Sequence, residues 1–127
     1  MAGMTKRQII SRAILPLLAV ASMTLAACAG APSGGHDQFA GAISDAGLAR
    51  LRACESGGNY SITNPSGAYR GAYQFSRSTW NGVARKYYPN LAGVDPAAAS
   101  PRDQDRMARA LWANGGPGHW PVCGKRV

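Results

Sequence analysis

Cys54 and Cys123 lie 69 residues apart and bracket most of the patterned part of this chain. If they join, the end of the first predicted helix is tied to the C-terminal tail. Closing a loop of that length adds roughly 4 kcal/mol in the chain-entropy model, a large share of a small domain's stability. The competing possibilities are two free thiols or a metal pair. His36 and His119 are the only histidines and neither stands at ligand spacing, so no metal or cofactor site is visible. Which outcome holds depends on the compartment and on the third cysteine, Cys28.

The N-terminus bears on both. Lys6, Arg7 and Arg12 precede an uncharged stretch, Ala13 to Ala27, built from Ile, Leu, Ala, Val and Met. That stretch is shorter than the ~20 residues a membrane span needs and reads as the core of an export signal. It ends Leu25-Ala26-Ala27-Cys28, the pattern of a bacterial lipobox, in which the cysteine receives lipid and becomes the new N-terminus. Ala-x-Ala patterns around Ala26 to Ala31 also fit ordinary cleavage, which would leave Cys28 a stray thiol. Either reading places the working protein outside the cytoplasm, lipid-anchored to the membrane through Cys28 or secreted. Lipid on Cys28 leaves two thiols, which most simply form one disulfide.

Charge narrows the partners. Loss of residues 1–27 removes three cations and no acid, so the formal charge falls from +8 to +5. The remaining basic residues are scattered through the chain and do not form a run. Together with export, this argues against nucleic acid and for a solvated surface suited to an anionic envelope.

Residues 28–43, rich in Gly, Ala, Pro and Ser, read as a flexible tether, and 44–127 as one small domain. Ser44 is a good N-cap with Asp45 in the first turn and Ile43 placed as a staple on Leu48. Leu48, Leu51 and Glu55 share one stripe of that helix, which Gly57-Gly58 ends. Tyr60 to Phe75 reads as a short irregular β-hairpin turning at Asn64-Pro65-Ser66-Gly67. A second helix starts at Ser76 or Ser78, buries Trp80, Val83, Ala84 and Tyr87, and stops before Pro89. A third begins at Ser100-Pro101-Arg102-Asp103, buries Gln104, Met107, Ala108 and Leu111, and ends near Asn114. The tail from Gly115 reads as irregular. About three helices and one hairpin make an α+β domain.

The densest motifs are Cys54-Glu55-Ser56-Gly57-Gly58-Asn59, Gly71-Ala72-Tyr73-Gln74-Phe75 and Trp120-Pro121-Val122-Cys123-Gly124. In this order they resemble the resuscitation-promoting factors and related transglycosylase-like proteins of actinobacteria, over about residues 44–125. The resemblance implies a small lysozyme-like fold and cleavage of the β-1,4 bond between N-acetylmuramic acid and N-acetylglucosamine in peptidoglycan. It puts Glu55 at the catalytic position, the family disulfide on Cys54 and Cys123, and Tyr73 and Gln74 in the sugar cleft. Asn59, Thr63 and Tyr69 complete the candidate substrate-binding set. The expected partners are peptidoglycan, the membrane through Cys28 and a partner wall hydrolase. The chain departs from the commoner family pattern at Arg70, where glycine is usual. Asn64-Pro65-Ser66 is closer to soluble lytic transglycosylases.

The chemistry of Glu55, the sole glutamate, fits independently. Glycosidic cleavage near neutral pH needs a protonated acid, and apolar surroundings raise a carboxyl's pKa. Arg52, three residues earlier on the helix, could instead pair with Glu55 and lower it. Ordinary glycosidases need a second carboxylate close by. Asp45 is ~15 Å away along the helix, and Asp95, Asp103 and Asp105 lie on distal segments with capping or surface roles. One carboxylate serving as acid and then base is the lytic transglycosylase scheme, closed by the muramoyl 6-hydroxyl. A muramidase-type hydrolase and a catalytically silent wall-binding lipoprotein are the alternatives. Among the aromatics, Trp80 is expected in the core and Trp120 on the disulfide. Tyr60, Tyr69 and Tyr73 suit either a sugar platform or the core.

Overall fold

The computed structural model describes residues 36–127. Cys28, the export signal and the first part of the tether lie outside the described residues. Helix α1 spans Asp45–Ser56, strands β1 and β2 span Tyr69–Arg70 and Phe75–Ser76, and helices α2 and α3 span Arg77–Tyr87 and Pro101–Ala113. Three 3₁₀ turns, Pro89–Leu91, Gly116–His119 and Cys123–Arg126, complete the order, so the tail has more regular backbone than its glycines suggest.

Local signals set the helix ends. Ser44 Oγ accepts from the Gly47 N–H at 3.0 Å, and Gly57 takes the left-handed conformation (φ 66°) that lets its N–H return to Ala53 O. Of the two candidate caps for α2, Ser76 is the one used, its Oγ accepting from the Thr79 N–H. Ser100 does the same for Asp103, with Pro101 just inside α3. Leu48, Leu51, Trp80, Val83, Ala84, Met107, Ala108 and Leu111 meet in one core as their spacing predicts. The fully buried Trp80 satisfies its indole N–H on Leu91 O at 2.9 Å. Tyr87 is only half-buried, its ring edge-on to Phe39 at 4.8 Å.

The hairpin is shorter than its sequence suggests. Two residues pair on each side, Tyr69 with Ser76 and Arg70 with Phe75, and the Tyr60–Thr63 arm adds only the Thr63–Arg70 bridge. The cause is Gln104, buried on α3. Its Oε1 accepts from the Ala72 N–H at 2.8 Å and its Nε2 donates to Tyr60 O, satisfying backbone groups that a longer ladder would have used, and Nε2 also donates to Ala99 O ahead of α3. Gly71, at φ 77°, is required beside it: a Cβ there would stand 2.3 Å from Gln104 Oε1.

Ile43 is buried in one core cluster with Leu48, in line with its expected role as a staple. Asp37 and Phe39, placed by composition in the tether, also pack on the helices, Asp37 pairing with Arg109 at 3.0 Å and accepting from the Tyr88 hydroxyl. Cys54 and Cys123 are bonded. Three helices, a two-stranded antiparallel sheet and one disulfide constitute the expected small α+β, lysozyme-like domain.

Candidate active site

Glu55 sits on the last turn of α1, where the apolar stripe of Leu48 and Leu51 runs out toward the loop, and is half-buried. It forms part of the wall of a cavity of about 380 Å³. Tyr69 and Gln74 from the hairpin form a second part of that wall, and the tail segment His119 to Cys123 forms the third. The disulfide links two of these parts, because Cys54 precedes Glu55 and Cys123 lies in the tail wall.

Burial alone pushes the Glu55 carboxyl above the ordinary carboxylate range. The Arg52–Glu55 pair considered from the sequence does not form. Arg52 instead donates to the Tyr73 hydroxyl at 3.3 Å and lies 3.9 Å from Asp105. All five aspartates are ion-paired: Asp37 and Asp45 with Arg109, Asp95 with Arg70 and Arg77, Asp103 with Arg106, and Asp105 with Arg52. Glu55 is thus the one carboxylate with no cationic partner among the described residues.

Of the candidate substrate-binding residues, Tyr69 and Gln74 share the cavity wall with Glu55. Tyr69 is 51% exposed where it lines the cleft. Gln74 is the only non-glycine residue with positive φ (52°) among the described residues, a strained conformation held by its Nε2 bond to Gly71 O. Tyr73 is not in the wall of this cavity. Its ring is fully buried, its hydroxyl donates to Asp105 at 2.6 Å, and it lines only a smaller adjoining cavity, with Tyr69 and Gln74. Tyr60 is half-buried and donates to the same carboxylate. Asn59 and Thr63 are exposed and outside the cavity wall: Asn59 Oδ1 caps the Ser61 N–H, and Thr63 bridges Arg70 through its backbone. Arg70, the departure from the family pattern, points its guanidinium at Asp95 and Gly67 O.

Sequence reasoning missed the tail wall. His119, Trp120, Pro121 and Val122 all face the cavity, and Val122 is 66% exposed. Tyr69 and Val122 are the two large hydrophobic residues most exposed in the domain, and both are on this cleft. Trp120 is buried, its indole donating to Tyr73 O and its ring stacked near Trp112. The signal was the Trp120–Gly124 motif, whose lack of polar side chains made it read as structural support for the disulfide.

Residues 42–123 match the family model of the transglycosylase-like domain. Among curated relatives, the probable transglycosylase SceD of Staphylococcus epidermidis is 47% identical over 73 residues, covering 58% of this chain and 32% of the relative. Its counterpart in Staphylococcus aureus strain Newman is 43% identical over 76 residues, covering 60% and 32%. The chain thus spans about a third of the length of these relatives.

Proposed function

The chain belongs to the transglycosylase-like domain family, and from that premise we propose that it is a peptidoglycan lytic transglycosylase with Glu55 as its acid and base. The observation that carries this reading is Glu55 itself, half-buried in a cleft wall and the one carboxylate without an arginine partner among the described residues. Burial raises its pKa above the ordinary carboxylate range, the direction a general acid requires. In the proposed reaction Glu55 protonates the glycosidic oxygen between muramoyl and glucosaminyl units as the C1–O bond breaks. The carboxylate then takes the proton of the muramoyl 6-hydroxyl while that oxygen bonds to C1. The product is a 1,6-anhydro end, and Glu55 is left protonated for the next turnover.

The lack of a second free carboxylate supports this scheme over a two-carboxylate one. Tyr69 is assigned as the ring on which a sugar stacks, with Gln74 beside it. The finer likeness to resuscitation-promoting factors rests on Cys54–Asn59 and Trp120–Gly124. Cys28 is assigned as a lipid attachment that keeps the domain at the membrane surface beside the wall.

The test is incubation of the full chain, wild type and Glu55→Gln, with peptidoglycan and mass spectrometry of the released muropeptides. The wild type is expected to release anhydro-ended products and Glu55→Gln to lose at least ~100-fold of that activity. No release by either protein sinks the enzyme reading, and reducing-end products select a hydrolase. For Cys28, the expected outcome is that Cys28→Ala leaves the membrane fraction of a producing bacterium.

A further inference from the structure

A second, smaller cavity of about 80 Å³ adjoins the Glu55 cleft, sharing Tyr69, Gln74, His119 and Trp120 as walls and continuing to Ser76 and Thr79 at the start of α2. A polymer running from one chamber into the other crosses this seam. The polar groups lining it differ in what they have left to offer. The Trp120 indole N–H is committed to Tyr73 O, one N–H of the Gln74 amide to Gly71 O, and the Ser76 hydroxyl to Thr79. The His119 imidazole is exposed and bonds to no group among the described residues. It is also the only side chain in either wall able to carry positive charge.

The ring is nevertheless held in place. It lies against Gly115 so closely that a Cβ there would stand 2.2 Å from His119 Nε2, and it meets the Trp120 ring edge-on at 6.2 Å. The Gly-rich turn therefore seats the Nε2 edge of the imidazole and leaves Nδ1 without a partner among the described residues.

We propose that His119 is a substrate-contact residue that donates a hydrogen bond to an acyl oxygen of the glycan at the seam between the two chambers. The inference rests on the peptidoglycan reading above. Two substituents present such an oxygen, the N-acetyl group of the sugars and the lactyl-linked stem on the muramoyl unit. Because the contact is made to bound substrate and transition state alike, its loss raises KM and leaves kcat nearly unchanged.

The experiment measures KM and kcat of the full chain as wild type, His119→Phe and His119→Gln on glycan strands that are intact, freed of the whole lactyl stem by β-elimination, or de-N-acetylated. Phe keeps a ring against Gly115 without its nitrogens, and Gln restores an N–H donor. On intact strands the expected result is a KM about fivefold higher for His119→Phe, with kcat within about twofold and recovery by His119→Gln. The wild-type advantage then vanishes on whichever stripped substrate lacks the oxygen concerned. His119→Phe equal to wild type in KM on all three substrates overturns the contact. So does Phe active with Gln impaired, which makes the role one of ring packing. A wild type that neither binds nor cleaves intact strands overturns the peptidoglycan reading and this inference together; an active wild type matched by Phe overturns this inference alone.

Discussion

Asp105 joins three separately folded parts of the domain, and Asp105→Ala is expected to cost about 3 kcal/mol. One of its oxygens accepts the Tyr73 hydroxyl at 2.6 Å and the Tyr60 hydroxyl at 2.8 Å, with the Arg52 guanidinium 3.9 Å away. Burial and this hydrogen bond push the Tyr73 phenol well above its ordinary range, so its proton stays on and continues to need an acceptor. Because the Tyr73 ring is fully buried, no water replaces the lost partner, and a charge-assisted bond of this kind is worth ~1.5–3 kcal/mol. Tyr60 is half-buried and regains a water, limiting its share to ~0.5–1 kcal/mol, and the partly exposed pair with Arg52 adds at most ~0.5 kcal/mol.

The assay is urea unfolding of the full chain, in which the midpoint should fall with the slope unchanged, alongside a thermal melt lowered by ~15 °C. Asp105→Asn, which keeps an acceptor oxygen, should recover about half of the loss. In a double-mutant cycle with Tyr73→Phe, a coupling of ~1.5 kcal/mol is expected. Unfolding of Asp105→Ala within ~0.5 kcal/mol of wild type refutes the reasoning, because the hairpin would then be held to α3 by the Gln104 bonds and apolar packing without Asp105. Since Gln74 follows Tyr73 directly, the same variant should lower glycan cleavage at temperatures where it remains folded.

Replacing Cys54 and Cys123 by serine opens a loop of 69 residues and should destabilise the chain by ~4.4 kcal/mol, read by calorimetry against wild type. The raised pKa of Glu55 means that the folded state holds this proton more tightly than the unfolded one. Its contribution is therefore complete below the ordinary carboxyl range and is lost as pH rises through the folded value. Glu55→Gln should match wild-type stability below about pH 4 and exceed it near neutrality, and the opposite ordering in denaturation curves contradicts the burial argument. Gly71→Ala places a methyl on Gln104 Oε1 at a positive φ and should cost ~2–3 kcal/mol, visible as a lowered melting temperature by circular dichroism.

What could be read from the sequence follows the range of the interactions concerned. Helix ends were legible because Ser44, Gly57 and Ser100 act on backbone groups within a few residues. Glu55 stood out as the single glutamate at the end of an apolar stripe. The hairpin was overextended because Gln104, 32 residues beyond Ala72, takes the bonds a ladder would have made. Glu55 is the only partner that helix periodicity offers Arg52, because periodicity reports only local neighbours, whereas its actual contacts lie on the hairpin and α3. Tyr69 and Tyr73 look equivalent four residues apart in a glycine-rich turn. Only the fold separates the exposed ring from the buried one. Asp37 and Phe39 read as tether because their partners, Arg109 and Tyr87, are on distant helices.

The ion pairs also explain how so basic a domain keeps one acid uncompensated. Five arginines, Arg52, Arg70, Arg77, Arg106 and Arg109, take the five aspartates, and the other basic residues of the domain lie exposed on its surface. The cleft contains neither arginine nor lysine, so desolvation, which raises the Glu55 pKa, is not countered by a neighbouring Arg or Lys. Such a site works against stability, through a desolvated carboxyl on one wall and a residue at positive φ on another, the latter alone costing ~1–3 kcal/mol. The disulfide offsets this where the strain arises. It joins the residue before Glu55 to the tail wall, and the ~4.4 kcal/mol it contributes by constraining the unfolded chain exceeds the cost of the strained residue.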